Sequence, residues 1–212
     1  MSRLDGITAF DRDLLIEGLR LLVAALRDSG QPSDLRIIGG AALALRYFDR
    51  GVTVDIDAHF IGSPALVDQA ALTVAEQQGW PSDWLNNAAG GFIPEYGSTR
   101  IEWQPVFVDG DVVIEVAPPD AMLAMKLRAN RPGRDDDDIA RLLAICGIDT
   151  LDEAESLYEG FYSGEVLPAR AIRMVERILR VGLPDRPQPQ PPIDLGSASG
   201  GRSAAVIRGV HP

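Results

Sequence analysis

A short apolar run, Leu35-Arg-Ile-Ile38, meets Gly39-Gly40 and passes directly into Ala41-Ala-Leu-Ala-Leu-Arg-Tyr-Phe48, whose residues favour helix. The junction reads as strand, tight glycine turn and helix. Just beyond it, Val52 to Phe60 alternates apolar Val52, Val54, Ile56 and Ala58 with Thr53, Asp55, Asp57 and His59, a period-two strand with one polar face. Asp55 and Asp57 therefore point the same way, ~7 Å apart along the backbone.

The surrounding pattern supplies a core for this junction. Leu15, Leu19, Leu22 and Leu26 recur at helical spacing between Asp11 and Leu26, and Gly30-Gln-Pro32 ends that helix, within which Gly18 is only a modest cost. A second helix is expected over Pro64 to Gly79. Strands are expected over Arg100 to Val108 and Asp111 to Val116, joined by Asp109-Gly110, a hairpin signal. Helices follow from Pro118 through Ala129, from Arg134 to Gly147, near Leu151 to Tyr162, and from Pro168 to Val181. The expected fold is α+β: a mixed sheet flanked by helices over residues 1–117, and a helical part over 118–183 that completes the site. Prolines, glycines and serines then crowd residues 184–212, which read as a disordered tail.

Composition narrows the chemistry. At 212 residues, 46% hydrophobic and 24% charged, the chain has material for one ordinary core. The single cysteine, Cys146, excludes an intrachain disulfide or a thiolate zinc cluster, and two histidines exclude an all-imidazole site, so any metal is a hard, oxygen-liganded one. No apolar run approaches the roughly 18 residues that cross a bilayer, and the acidic N-terminus lacks the pattern of a leader. A cytoplasmic protein with no membrane partner is expected. The net charge of −11 works against long-range attraction to phosphate polymers, so a nucleic-acid partner needs a local basic patch. Arg128, Arg131 and Arg134, with Arg170, Arg173, Arg177 and Arg180 on one helix face, provide one; the competing reading pairs them with neighbouring acids.

Of 20 basic residues, Lys126 is the only lysine. It is either a survivor of an arginine-biased composition or a position that needs a compact ammonium. Set mid-helix among Met122, Leu123, Met125 and Leu127, it would cost several kcal/mol if buried without a partner. The glycine turn at a helix N-terminus suits an anion, and the two aspartates suit Mg²⁺, which binds through one or two carboxylates plus substrate phosphates.

Ile38-Gly39-Gly40 followed by Asp55-Ile-Asp57-Ala58 resembles the signature of the DNA polymerase β-type nucleotidyltransferase superfamily. Arg50-x-x-Thr53-Val-Asp-Ile-Asp57, Leu123-Ala-Met-Lys-Leu-Arg-Ala129 and Arg134-Asp-x-x-Asp138-Ile resemble its bacterial toxin branch of AbiEii and MenT type. The resemblance reaches from about residue 35 to 145. It implies transfer of a nucleotide from an NTP such as ATP or CTP, with two Mg²⁺ ions held by Asp55 and Asp57 and phosphates cradled by Gly39 and Gly40. Lys126 would contact the triphosphate, and Asp138 would be the functional acid of the last motif, Asp135 being explained as a helix cap. Arg50 and Arg134 stand as phosphate ligands or as partners for those acids. The family pattern includes a third carboxylate, for which Glu102 is the first choice and Glu115 the second. Ala41 stands where many relatives place serine or threonine.

Each residue also has a plainer reading. Glycine pairs are often mere turns, an Asp-x-Asp is often solvated surface, and four aspartates at 135–138 suit a helix N-terminus. His59 reads as a hydrogen-bonded structural residue and Cys146 as helix core, while Trp80, Trp84 and Trp103 suit apolar packing better than stacking on a base. The expected function is nucleotide transfer to a hydroxyl of a tRNA 3′ end or of a protein, as the toxin of a toxin–antitoxin pair with a cognate antitoxin. Competing readings are an inert nucleotidyltransferase-like binding module and a transferase acting on a small molecule of aminoglycoside type.

Overall fold

The computed structural model describes residues 3–4 and 7–196. Two short strands, β1 (Arg3–Leu4) and β2 (Ile7–Thr8), pair antiparallel ahead of α1 (Arg12–Ser29). The helical spacing of Leu15, Leu19, Leu22 and Leu26 puts all four in the core. Asp11 caps α1 by accepting from the Leu14 N–H at 2.9 Å, and Gly30, at φ +63°, ends it in the left-handed region.

The strand–turn–helix junction forms as β3 (Ser33–Ile38) and α2 (Gly39–Ala42), which continues into a π-wound turn over Leu43–Tyr47 closed by the Phe48 N–H on the Leu43 carbonyl. Then come β4 (Ile56–Gly62), α3 (Pro64–Gln78), β5 (Leu85–Asn86) and a 3₁₀ turn at Gly90–Phe92. The hairpin is β6 (Gln104–Asp109) and β7 (Val112–Val116), with Gly110 at φ +58° in its turn. Four helices complete the order: α4 (Pro119–Ala129), α5 (Asp136–Cys146), α6 (Leu151–Phe161) and α7 (Ala169–Val181).

The sheet runs β5-β4-β3-β7-β6, with β3 antiparallel to β4 and parallel to β7. The fold is therefore α+β, a mixed five-stranded sheet with seven α-helices among the described residues. Period-two alternation buries Leu35, Ile37, Ile56, Ala58, Ile114 and Val116 on one face, where α1 meets β7 and α3 meets β4. The opposite face carries Asp57 beside Ile38, and His59, Arg36 and Glu115 in one cross-strand row. A continuous hydrophobic cluster joins this sheet to α4–α7. Among the described residues no helix is long and apolar enough to cross a membrane.

Several boundaries differ from expectation for identifiable reasons. β4 starts at Ile56, because Thr53 exchanges backbone hydrogen bonds with Phe10 (2.7 and 2.9 Å) and draws residues 50–55 away from the sheet, leaving Val52 and Val54 exposed. β6 starts at Gln104, because Ser98 and Thr99 are tied to Ser163 and Gly160 at the end of α6. Asp135 occupies the N-cap position of α5 without capping through its side chain. Residues Pro184–Gly196 form no helix or strand yet lie along α1: Arg12, Arg20 and Arg27 donate to the carbonyls of Pro191, Asp194 and Gly196, and Leu195 is buried. This part of the expected disordered tail is thus held in place, while 197–212 lie outside the described residues.

Candidate active site

The antiparallel register of β3 and β4 places Asp57 opposite Ile38, at the residue before the glycine turn. Gly39 adopts φ +69°, and a Cβ there would stand 2.8 Å from an Asp57 carboxylate oxygen, so conformation and space both demand glycine. A cavity of about 380 Å³ opens at this point. Gly39, Asp55, Asp57, Lys126, Arg131 and Arg134 form its polar side, and Val54, Phe92, Met122 and Met125 its apolar side.

Gly40 does not line the cavity. A Cβ on it would come within 2.9 Å of the Arg50 guanidinium and the Thr53 hydroxyl, so its bareness admits the loop that follows α2. Arg50 also lies outside the cavity: its Nε donates to both Asp138 oxygens at 3.0 and 3.1 Å, and Nη1 donates to the Val52 carbonyl at 2.8 Å. These bonds tie the segment carrying Asp55 to α5.

Lys126 is 4% exposed and far from idle. Its ammonium donates to Asp135 Oδ1 at 2.7 Å and Asp138 Oδ2 at 2.8 Å, leaving one of three N–H groups for the cavity it lines. Asp135 accepts in addition from the backbone N–H, Nε and Nη2 of Arg131 at 2.9, 3.0 and 3.1 Å. Burial pushes the Asp135 carboxyl up, but hydrogen bonds from Arg131 and the pull of Lys126 outweigh it and hold the group down to about 2. Three cations, Lys126, Arg131 and Arg50, thus share two carboxylates, with Arg50 approaching from outside the cavity. Asn130, at φ +34°, ends α4 and turns Arg131 back toward Asp135. Arg134 lines the cavity and is exposed; its backbone N–H donates to the Arg131 carbonyl at 3.1 Å, and its guanidinium has no hydrogen-bond partner among the described residues.

The acids of the lining are Asp55 and Asp57. Burial, and then the charge of Asp55, raise the Asp57 carboxyl to about 6 against the opposing pull of Arg131, Lys126 and Arg134. Asp55 accepts from the Asn86 amide at 3.3 Å. Neither candidate for a third carboxylate joins them. Glu102 is exposed on the segment before β6, and Glu115 is bound to Arg36 Nε at 3.0 Å; neither lines the cavity. Among the described residues no group of three or more His, Cys, Asp or Glu is placed to hold a metal. The fit to Mg²⁺ accordingly rests on two carboxylates whose mutual repulsion a cation relieves, with ligand phosphate oxygens completing the shell.

Of the residues singled out from the sequence, the cavity gathers Gly39, Asp55, Asp57, Lys126 and Arg134, holds Asp138 behind Lys126, and leaves out Gly40, Arg50 and Glu102. Sequence reasoning placed Arg131 only in a basic tract and took Asp135 for a cap; the clue was the pairing of a solitary lysine with acids nine and twelve residues on. It also missed Asn86, for which no pattern gave a signal. His59 is exposed, and its ring has no hydrogen-bond partner among the described residues. Trp80 and Trp84 pack with Phe10 in the core, whereas Arg36 stacks on Trp103. On α7, Arg170 donates to the last carbonyls of α4 and Arg177 pairs with Asp136, so part of the basic face is already engaged. No protein-family model, curated protein or solved structure matches the chain.

Proposed function

We propose that the chain is a Mg²⁺-dependent nucleotidyltransferase that moves an NMP from an NTP to a hydroxyl acceptor, on a core of nucleotidyltransferase type. The observation that carries this reading is convergence: a glycine turn, a carboxylate pair and a buried lysine, spread over residues 39 to 126, line one cavity. Its lining matches an NTP, apolar Met122, Met125, Val54 and Phe92 for a base and sugar, and Gly39, Lys126, Arg131 and Arg134 for phosphates. Asp55 and Asp57 would hold the metal, which supplies charge that polarises the α-phosphate.

The chain's own part is positioning and charge. Lys126, fixed by two carboxylates, offers its remaining N–H to the phosphates, and exposed Arg134 follows the leaving group. The acceptor oxygen bonds to the α-phosphorus, the bond to the β-phosphate oxygen breaks, pyrophosphate departs, and the hydroxyl proton passes to solvent. The acceptor is a tRNA 3′ end or a protein hydroxyl, and the biological setting is a toxin with a cognate antitoxin, both carried by the sequence resemblance. Asp55→Ala is expected to abolish transfer of label from an α-³²P-NTP into total cell extract with the fold intact; unchanged labelling rejects the mechanism.

One observation favours a second reading. With Glu102 exposed and Glu115 bound to Arg36, no third carboxylate among the described residues lines the cavity to take the acceptor proton, which suits a module that binds nucleotide without transferring it. Metal-dependent NTP binding with no pyrophosphate released in any extract would select it.

A further inference from the structure

The open sheet face carries a second cavity, of about 370 Å³, over the row His59–Arg36 and beneath the segment leading to β6. It is separated from the first only by the 3₁₀ turn: Ala89 and Phe92 line one side, Gly90 and Ile93 the other. The roof is fastened. The Tyr162 hydroxyl donates to the Phe92 carbonyl, Thr99 N–H to the Gly160 carbonyl at 2.8 Å, and Ser98 N–H to the Ser163 hydroxyl at 3.1 Å.

Arg36 in the floor is oriented on two sides. Glu115 takes its Nε at 3.0 Å, and the Trp103 ring lies 4.9 Å from the guanidinium carbon. Both terminal amino groups are left without a partner among the described residues, a fork of the shape that carboxylate or phosphate fills bidentately. Arg100 adds a second cation at the rim against a single lining acid, Glu95. Asp57 of the first cavity and His59 of the second are two residues apart on one face of β4, ~7 Å along the backbone, a spacing that a sugar phosphate spans.

We propose that this second cavity is the subsite for the acceptor, where the Arg36 fork grips a phosphate group of the molecule that receives the nucleotide. The assignment rests on the transfer reading above. Inorganic phosphate, ribose 5-phosphate and a short oligonucleotide ending in a 3′ hydroxyl are the probes, titrated in EDTA so that metal-dependent nucleotide binding is silent. Trp80 and Trp84 sit in the core, so a change in indole emission reports Trp103.

The expected result is saturable quenching, matched by calorimetry, weakened at least about tenfold by Arg36→Gln and several-fold by Arg100→Ala on the exposed rim. Tighter binding of the oligonucleotide than of ribose 5-phosphate identifies a chain end, the tRNA arm of the acceptor reading, and the reverse order replaces that acceptor by a small phosphorylated molecule; both support the subsite. Asp57→Asn should retain phosphate binding while losing Mg²⁺–NTP binding, which separates the two claims. Absence of saturation with all three probes, or equal affinity in both arginine variants, overturns the subsite even where Mg²⁺–NTP still binds.

Discussion

Lys126 holds the site together through a charge network that cannot lose one member cheaply. Lys126→Met removes the ammonium between Asp135 and Asp138, which keep Arg131 and Arg50 as their remaining partners, and losing that shared donor costs about 1–3 kcal/mol. Chemical denaturation should show a loss of that order, together with loss of transfer. Asp57 behaves in the opposite way. Its carboxyl lies near 6 in the fold against an ordinary value of 3.8, so the folded state binds the proton more tightly and stability falls as pH rises from about 4 through 6. Asp57→Asn should therefore melt higher than the parent at pH 8, with the gap closing below pH 4. A parent that melts at least as high as the variant at pH 8 would show that Asp57 is not strained. Asp135, held down to about 2, contributes stability that is complete above about pH 4 and disappears as pH falls through 2.

At the scale of elements, the junction of β3 and α2 is the part the sequence describes best, and Gly39 shows why. Its positive φ and the 2.8 Å approach to Asp57 make Gly39→Ala strained in backbone and crowded at the cavity, at ~1–3 kcal/mol. Thermal melting should record that loss, and NTP affinity should fall with it. The helices were legible because leucine spacing and terminal glycines are local signals, as at Gly30, Gly79 and Gly147. The two strand starts were not, because Thr53 with Phe10 and Thr99 with Gly160 are contacts between distant segments that alternation alone cannot register. Asp135 illustrates the same limit in the site. Its place at the head of α5 is what a cap looks like in sequence, and only the return of Arg131 through Asn130 reveals its ion pairs.

For the whole molecule, composition does not register what the C-terminal segment touches up to residue 196. Prolines disfavour helix and sheet there, yet three arginines on α1 and the burial of Leu195 hold residues up to 196 against the body. Ending the chain after residue 183 uncovers that apolar surface and frees those guanidinium groups, and should lower stability by about 2 kcal/mol. An unchanged melting temperature would show that the strap rests on α1 without stabilising it. Ligand acts across the same whole: Mg²⁺–NTP at 100 times its Kd should stabilise the fold by about 2.7 kcal/mol.

The direct test of the account is calorimetric titration of an NTP into the intact chain with Mg²⁺ and with EDTA, beside Asp57→Asn. Binding that requires Mg²⁺ in the parent and vanishes in a folded Asp57→Asn variant is the predicted result. Equal binding with and without the metal, or in both proteins, contradicts the claim that the Asp55–Asp57 pair receives a metal-bound nucleotide.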